Sequence, residues 1–179
     1  VKYTIDPIIT YIIQRFYYPS NLFKDKTFLS FNSNFQFQDE KFIKLKSVKG
    51  TSATTSISLY LPTFQLFALK KFNDFDKYQR ELNFCKKYSH RVLVPFYGNI
   101  EKRDEYTIIY KFMSNDSLKT YVEGNKSSIT SIFALTALNR ISQGIDYLHS
   151  NHLIHRDLQP QNILIDNDFE VYISDFETI

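Results

Sequence analysis

The sequence predicts an α+β fold in which short strands precede a long helix. Apolar residues alternate with polar or small ones in three consecutive segments, at residues 43–45, 55–61 and 67–69, as they do along a half-buried strand. Across residues 129–150, apolar residues instead recur every three or four positions, which is the period of an amphipathic helix. We therefore expect a strand-rich region followed by a helical one.

The composition is that of a globular protein. Of the 179 residues, 43% are hydrophobic and 23% are charged, which excludes a disordered or fibrous chain, and this length can bury a sizeable core. No apolar run approaches the 18 or more residues of a membrane span. Cys85 is the single cysteine, which excludes an internal disulfide and an all-cysteine zinc site, so we expect a reducing, cytoplasmic location.

The first predicted element is a short amphipathic helix at residues 1–18, which Pro19 ends. Residues 20–40 show no clear period and are predicted to be a linker, so residues 1–39 form the first of two expected regions. The chain does not begin with Met, and we expect its true start to lie upstream.

The second expected region, residues 40–179, contains all the other predicted elements. The three alternating segments have short breaks between them and predict an antiparallel meander. A helix is predicted at residues 75–88, and two apolar runs follow at residues 92–96 and 106–113. The long helix at residues 129–150 comes next.

Three polar residues follow the long helix at specific spacings. Asp157 and Asn162 lie in the segment HRDLQPQNILID, and Asp175 lies in VYISDF. Two short apolar segments, Ile163–Ile165 and Val171–Ile173, are predicted strands, and turn capping alone does not explain why three polar groups emerge around them. Carboxylate and amide oxygens are ligands that Mg²⁺ prefers.

This string resembles the signature of eukaryotic protein kinases, which have a catalytic loop HRDLxxxN and a metal-binding DFG. The resemblance implies a two-lobe kinase-like fold with a complete small β-rich lobe and a large helical lobe that is only partly present. It implies that Asp157 orients the attacking hydroxyl and accepts its proton, and that Asn162 and Asp175 bind Mg²⁺.

The resemblance extends upstream. The segment FALKKF is similar to the kinase VAIK strand, so Lys70 is expected to reach the phosphates of ATP. Glu81, in the predicted helix that follows, is expected to pair with Lys70, although a solvent-exposed helix charge is the alternative. Cys85 is expected to be a small buried hydrophobic residue.

By the same similarity the small lobe covers residues 40–110, the hinge residues 111–113 and the start of the large lobe residues 114–179. Tyr110 would be the gatekeeper in front of the hinge. The expected ATP-binding residues come from the strands, the hinge and the segment after the catalytic loop: Gly50, Ile57, Ala68, Lys70, Lys111, Met113 and Leu164.

The sequence departs from the kinase pattern at four positions. Ser52 and Thr55 stand where the glycine-rich loop has glycines that let the backbone approach the phosphates. Gln159 replaces the lysine of the catalytic loop, which removes a cation from the γ-phosphate. Glu177 replaces the glycine of DFG and brings a further carboxylate near the metal position.

The resemblance implies a transferase that uses ATP and Mg²⁺ to phosphorylate a protein substrate, and Gln159 with Pro160 is more similar to serine/threonine or tyrosine-kinase-like branches than to true tyrosine kinases. The alternative is a pseudokinase, a nucleotide-binding or protein-interaction module without catalysis. Residues 1–90 contain 14 Lys and Arg against 7 Asp and Glu, but nucleic acid is not an expected partner, because these lysines are scattered rather than interleaved with a stacking face.

Ile179 lies two residues after the DFG-like segment, so the activation segment and substrate platform are not in this sequence. We expect the chain to be a fragment of a kinase, and this length alone to be inactive. We also expect the long helix to expose apolar surface and to make the chain poorly soluble.

Overall fold

The computed structural model describes residues 36–50, 53–126 and 129–179. The chain divides into two units, Val1–Gln36 and Phe37–Ile179, and the account below concerns the second. The helix predicted at residues 1–18, most of the predicted linker and Ser52 lie outside the described residues.

A five-stranded antiparallel sheet forms the first part of this unit. Its strand order is β1-β2-β3-β5-β4, so the predicted meander of the first three strands is confirmed. Phe37 is buried against the sheet, with its ring 5.3 Å from that of Phe67. The strands are β1 (Phe42–Lys49), β2 (Ala53–Tyr60), β3 (Gln65–Phe72), β4 (Phe96–Lys102) and β5 (Glu105–Lys111).

The apolar run at residues 92–96 is not a strand over its length. Pro95 has no backbone N–H to donate, and β4 begins only at Phe96. Leu93 makes a single bridge to Ile173, which connects this run to the second part of the unit.

Helix α1 (Phe75–Lys87) follows β3 after a two-residue connection, which agrees with the predicted helix at residues 75–88. The Asp74 carboxylate accepts a hydrogen bond from the backbone N–H of Lys77 and so satisfies a donor that the helix leaves free. The helix buries Tyr78, Leu82 and neighbouring residues against the sheet. Glu81 lies on the same buried face.

Two further helices and a small hairpin form the second part. They are α2 (Leu118–Gly124), α3 (Ser131–Ser150), β6 (Ile163–Ile165) and β7 (Val171–Ile173). The side chain of Thr130 caps α3, so the helix begins two residues later than predicted. A Cβ at Gly144 would lie 2.6 Å from Cδ1 of Ile173, and glycine therefore allows α3 to approach β7 closely.

One face of α3 is exposed, as expected. The side chains of Ile132, Leu135 and Leu138 are 77%, 67% and 64% exposed, whereas Leu148 near the other end of the helix is buried. The apolar residues that predict this helix are therefore exposed in its first half and covered in its second half, which packs against β7. Among the described residues, no helix combines the length and the apolar composition that a membrane span requires.

Candidate functional site

Lys70 lies at the centre of the site. Along β3, Phe67 and Leu69 lie on one face of the sheet, and the alternation of the strand places Lys70 on the other face, which α1 covers. Its Nζ lies 2.7 Å from Glu81 Oε2 and 2.7 Å from Asp175 Oδ1. The structure thus brings together three residues that the sequence analysis selected, from β3, from α1 and from the segment after β7.

The carboxylate of Glu81 is fully buried, and both of its oxygens are bonded. Oε2 accepts from Lys70, and Oε1 accepts from the hydroxyl of Tyr110 at 2.6 Å. Burial raises the pKa of Glu81, although Lys70 and Tyr110 oppose that effect. Glu81 is therefore a buried partner of Lys70 and not a solvent-exposed helix charge.

The ammonium of Lys70 is held in its charged form. Burial by itself would lower the pKa of Lys70, but the charges of Glu81 and Asp175 outweigh burial, so the pKa lies above its ordinary value. A positive charge is therefore present at this position at neutral pH.

The contact between Tyr110 and Glu81 was not predicted. Tyr110 lies on β5 opposite Ala68, and its hydroxyl also lies 3.2 Å from Cys85 Sγ. Burial raises the pKa of the Cys85 thiol to about 12, so Cys85 is the buried, uncharged residue that the sequence indicated. The period of β5 places Tyr110 on the α1 side, but only the docking of α1 brings Glu81 to it.

A second group of polar residues surrounds Asp157. The amide Nδ2 of Asn162 donates to Asp157 Oδ2 and to the Asp157 carbonyl, each at 2.9 Å. Nε2 of Gln159 donates to Asp157 Oδ1 at 2.9 Å and to Oδ2 at 3.0 Å. Gln159 thus covers the carboxylate of Asp157, a contact that the sequence analysis did not foresee.

Asn162 and Ser174 meet at one end of the small hairpin, and Asp175 follows Ser174 in the chain. Ile163 and Ile173 are partners in the antiparallel pair β6–β7, so Asn162 before β6 lies beside Ser174 after β7. The backbone N–H and the hydroxyl of Ser174 both donate to the Asn162 carbonyl, at 2.9 and 3.0 Å. Because Nδ2 of Asn162 donates to Asp157, the Asn162 side chain could hold a cation only through Oδ1, and Asp175, the residue after Ser174, offers carboxylate oxygens. These donors fit Mg²⁺.

The residues expected around the adenine are spread over three strands. Ile57 and Ala68 are register partners on β2 and β3, and both are half-buried. Leu164 is half-buried on β6 and forms a bridge with Ser117. Gly50 is exposed at the end of β1, where its N–H donates to the Ala53 carbonyl at 2.8 Å.

The two hinge residues that were expected to bind ATP have buried or bonded side chains. Met113 is buried in the core. The backbone N–H of Lys111 donates to the Pro95 carbonyl at 2.9 Å, and its Nζ donates to Asp166 Oδ2 at 2.6 Å. The side chain of Lys111 therefore ties the end of β5 to the β6–β7 turn, and its backbone N–H is not available to a ligand.

Glu177 lies beside α1. Its Oε1 is 3.2 Å from Lys77 Nζ, and its carbonyl accepts from Arg80 Nε at 3.1 Å. Carboxylate oxygens of Glu81, Asp175 and Glu177 lie within 4.8 Å of one another. Glu177 therefore brings a third carboxylate close to Lys70.

Comparison with known proteins gives consistent matches. The protein kinase domain family matches residues 49–178. The leucine-rich repeat receptor-like protein kinase TDR of Arabidopsis thaliana is 31% identical over 80% of this chain and 16% of its own length. Mitogen-activated protein kinase kinase 3 of the same plant is 29% identical over 71% of this chain and 26% of its own length. The cytoplasmic tyrosine-protein kinase BMX of Mus musculus is 33% identical over 56% of this chain and 16% of its own length.

Proposed function

Because this chain belongs to the protein kinase family, we propose that it binds ATP and transfers the γ-phosphoryl group to a serine or threonine hydroxyl of a protein. The observation that carries the proposal is the Lys70 ammonium, 2.7 Å from the carboxylates of both Glu81 and Asp175. Phosphoryl transfer by kinases requires the lysine–glutamate pair and the metal-binding aspartate to be in place together.

Each polar residue has a distinct role in this proposal. Lys70 binds phosphate oxygens, and Glu81 holds its ammonium in position. Asn162 and Asp175 would hold Mg²⁺ through their side-chain oxygens. Mg²⁺ would neutralise charge that develops on the phosphate oxygens during transfer. Asp157 orients the substrate hydroxyl and accepts its proton, for which Gln159 must release at least one oxygen of the carboxylate.

The adenine would lie between the strand residues Ile57 and Ala68 on one side and Leu164 on the other. The hinge backbone at residues 111–113 would bind its polar edge, with the carbonyl of Lys111 as an acceptor, since the N–H of that residue is already bonded. Gly50 begins the loop expected above the phosphates. We propose a cytoplasmic signalling role, because ATP and a reduced Cys85 are both compatible with that compartment.

The preference for serine or threonine rests on the Gln159-Pro160 segment of the catalytic loop. The relatives by themselves do not decide it, since they include a cytoplasmic tyrosine-protein kinase. The chain spans between 16% and 26% of the three relatives' lengths, so the activity proposed is that of the complete protein to which this domain corresponds.

The test is transfer of labelled phosphate from ATP with Mg²⁺ to a mixed protein substrate, followed by identification of the labelled residue. We expect labelled serine or threonine, and Asp157→Asn should abolish the label while ATP binding stays intact. Label on tyrosine alone would refute the specificity. Label that persists in Asp157→Asn would refute the role of this residue.

The cover over Asp157 favours a second candidate, a pseudokinase that binds nucleotide without turnover. Both oxygens of that carboxylate accept from Gln159, and Asn162 also donates to Oδ2. Thermal unfolding together with the phosphate-transfer assay separates the two functions, because ATP with Mg²⁺ at 100 times its dissociation constant stabilises by about 2.7 kcal/mol any fold that binds it. A pseudokinase would show this stabilisation without any phosphate transfer.

A further inference from the structure

We propose that Glu177 is a positioning residue that ties the segment carrying Asp175 to helix α1. The tie keeps Glu81 and Asp175 together on Lys70 when no nucleotide is bound. That the tie prepares a nucleotide site rests on the function proposed above. The tie itself consists only of contacts within the chain.

Glu177 makes two contacts with the same helix. Its Oε1 lies 3.2 Å from Lys77 Nζ, and its carbonyl oxygen accepts from Arg80 Nε at 3.1 Å. Lys77 precedes Glu81 by four residues, so the two side chains lie one turn apart on one face of α1. Glu177 therefore holds the turn of α1 that presents Glu81 to Lys70.

The tie is shielded from solvent. The side chain of Glu177 is 13% exposed and that of Lys77 is 34% exposed, whereas the surface pair Lys71–Glu105 is 47% and 57% exposed. The second oxygen of Glu177 is buried and has no hydrogen-bond partner among the residues that the structure describes. An ion pair in such a position is screened less by water and salt than a surface pair.

The charges nearby show why a tie is needed. Carboxylate oxygens of Glu81, Asp175 and Glu177 lie within 4.8 Å of one another, so their mutual repulsion pushes the segment after β7 away from α1. Lys70 bonds to Glu81 and Asp175, and Lys77 bonds to Glu177. Without the ammonium of Lys77, the carboxylate of Glu177 would lose the cation that offsets this repulsion.

The position also matters for the backbone. The kinase signature has glycine here, which has no side chain and allows free rotation. Glutamate at this position has a side chain that restricts backbone rotation, and its carboxylate contacts α1. We infer that this chain holds Lys70, Glu81 and Asp175 together before nucleotide arrives, with less dependence on ligand than a glycine at residue 177 would give.

The experiment measures amide hydrogen exchange of the nucleotide-free chain and, separately, its affinity for ATP with Mg²⁺. Lys77→Met and Glu177→Gln should each speed exchange in residues 78–84 and 174–179 by about three- to tenfold, the range for loss of one ordinary hydrogen bond, because the Lys77 side chain is one-third exposed. Both variants should also weaken ATP affinity. Lys71→Met, which breaks the surface pair with Glu105, is the matched control and should change neither measurement.

A charge exchange distinguishes the tie from a general loss of stability. The double variant Lys77→Glu with Glu177→Lys rebuilds the pair in reverse and should restore slow exchange relative to Lys77→Glu alone. Unchanged exchange in Lys77→Met and Glu177→Gln, or no rescue by the double variant, would overturn the tie. If exchange responds as expected but the parent chain binds no ATP, the tie stands and the proposed nucleotide function fails.

Discussion

Replacing Lys111 with methionine should destabilise the protein by breaking a buried ion pair. Nζ of Lys111 lies 2.6 Å from Asp166 Oδ2, and the side chains are 15% and 2% exposed. The carboxylate of Asp166 would keep three other donors: the Tyr172 hydroxyl at 3.1 Å and the backbone N–H groups of Asp168 and Glu170, each at 3.0 Å. The variant thus removes the cation, but three hydrogen-bond donors still surround the carboxylate of Asp166.

The magnitude follows from those remaining donors. Removing one partner of a buried pair costs about 3–5 kcal/mol when the other charge is left without compensation. Here the loss is closer to one charged hydrogen bond, about 1.5–3 kcal/mol, because three donors still bind Asp166. We expect about 2 kcal/mol for Lys111→Met. In a domain of this size that corresponds to a fall of roughly 4–8 °C in the melting temperature.

Urea unfolding of the parent and of Lys111→Met measures the difference, with Lys71→Met as the control. Lys71 pairs with Glu105 on the exposed surface, and its loss should cost no more than about 1 kcal/mol. If Lys111→Met costs no more than Lys71→Met, the pair with Asp166 contributes no net stability and the reasoning from burial is wrong.

Three further outcomes are expected. Burial would lower the pKa of Lys111, but the hydrogen bond and the charge of Asp166 outweigh burial and raise this pKa. The pair therefore contributes its full stability below the ordinary lysine pKa, and the contribution is lost as the pH rises through the pKa of Lys111 in the folded protein. Urea midpoints of the parent and Lys111→Met should therefore converge in alkaline solution. Tyr110→Phe leaves Oε1 of Glu81 buried without its donor and should cost about 1–3 kcal/mol in urea unfolding, and an unchanged midpoint would contradict this. Asp175→Asn should abolish the Mg²⁺ dependence of ATP stabilisation in thermal unfolding, and a retained dependence would argue against Asp175 as a ligand.

Much of the local structure could be predicted because it depends on neighbouring residues. Alternation along β2 and β3 and the helical period of α3 arise from side chains within a few positions of one another. The cap at Thr130 and the Pro95 break were less visible, because apolar periodicity does not register a side-chain oxygen or a missing N–H. The apolar stripe of α3 was readable, but which part of it β7 covers was not.

The site could be predicted only in part. The spacing of Asp157, Asn162 and Asp175 indicated a family and a chemistry, and in the structure Asn162 bonds to Asp157 and to Ser174, the residue before Asp175. The contacts of Gln159 with Asp157 and of Lys111 with Asp166 were not foreseen. Spacing identifies which residues are present, whereas the direction of a flexible side chain depends on what surrounds it.

The α+β class, the order of the elements and the identity of the residues that resemble a kinase site all follow from the sequence alone. The Lys70–Glu81 pair was expected, but that Lys70 also contacts Asp175 and that Glu177 contacts α1 depends on how the distant segments pack. Lys70 and Asp175 are 105 positions apart, and Lys77 and Glu177 are 100 apart. Local propensities act over one or two turns, so contacts at such separations are set by how the sheet, α1 and the β6–β7 hairpin pack together.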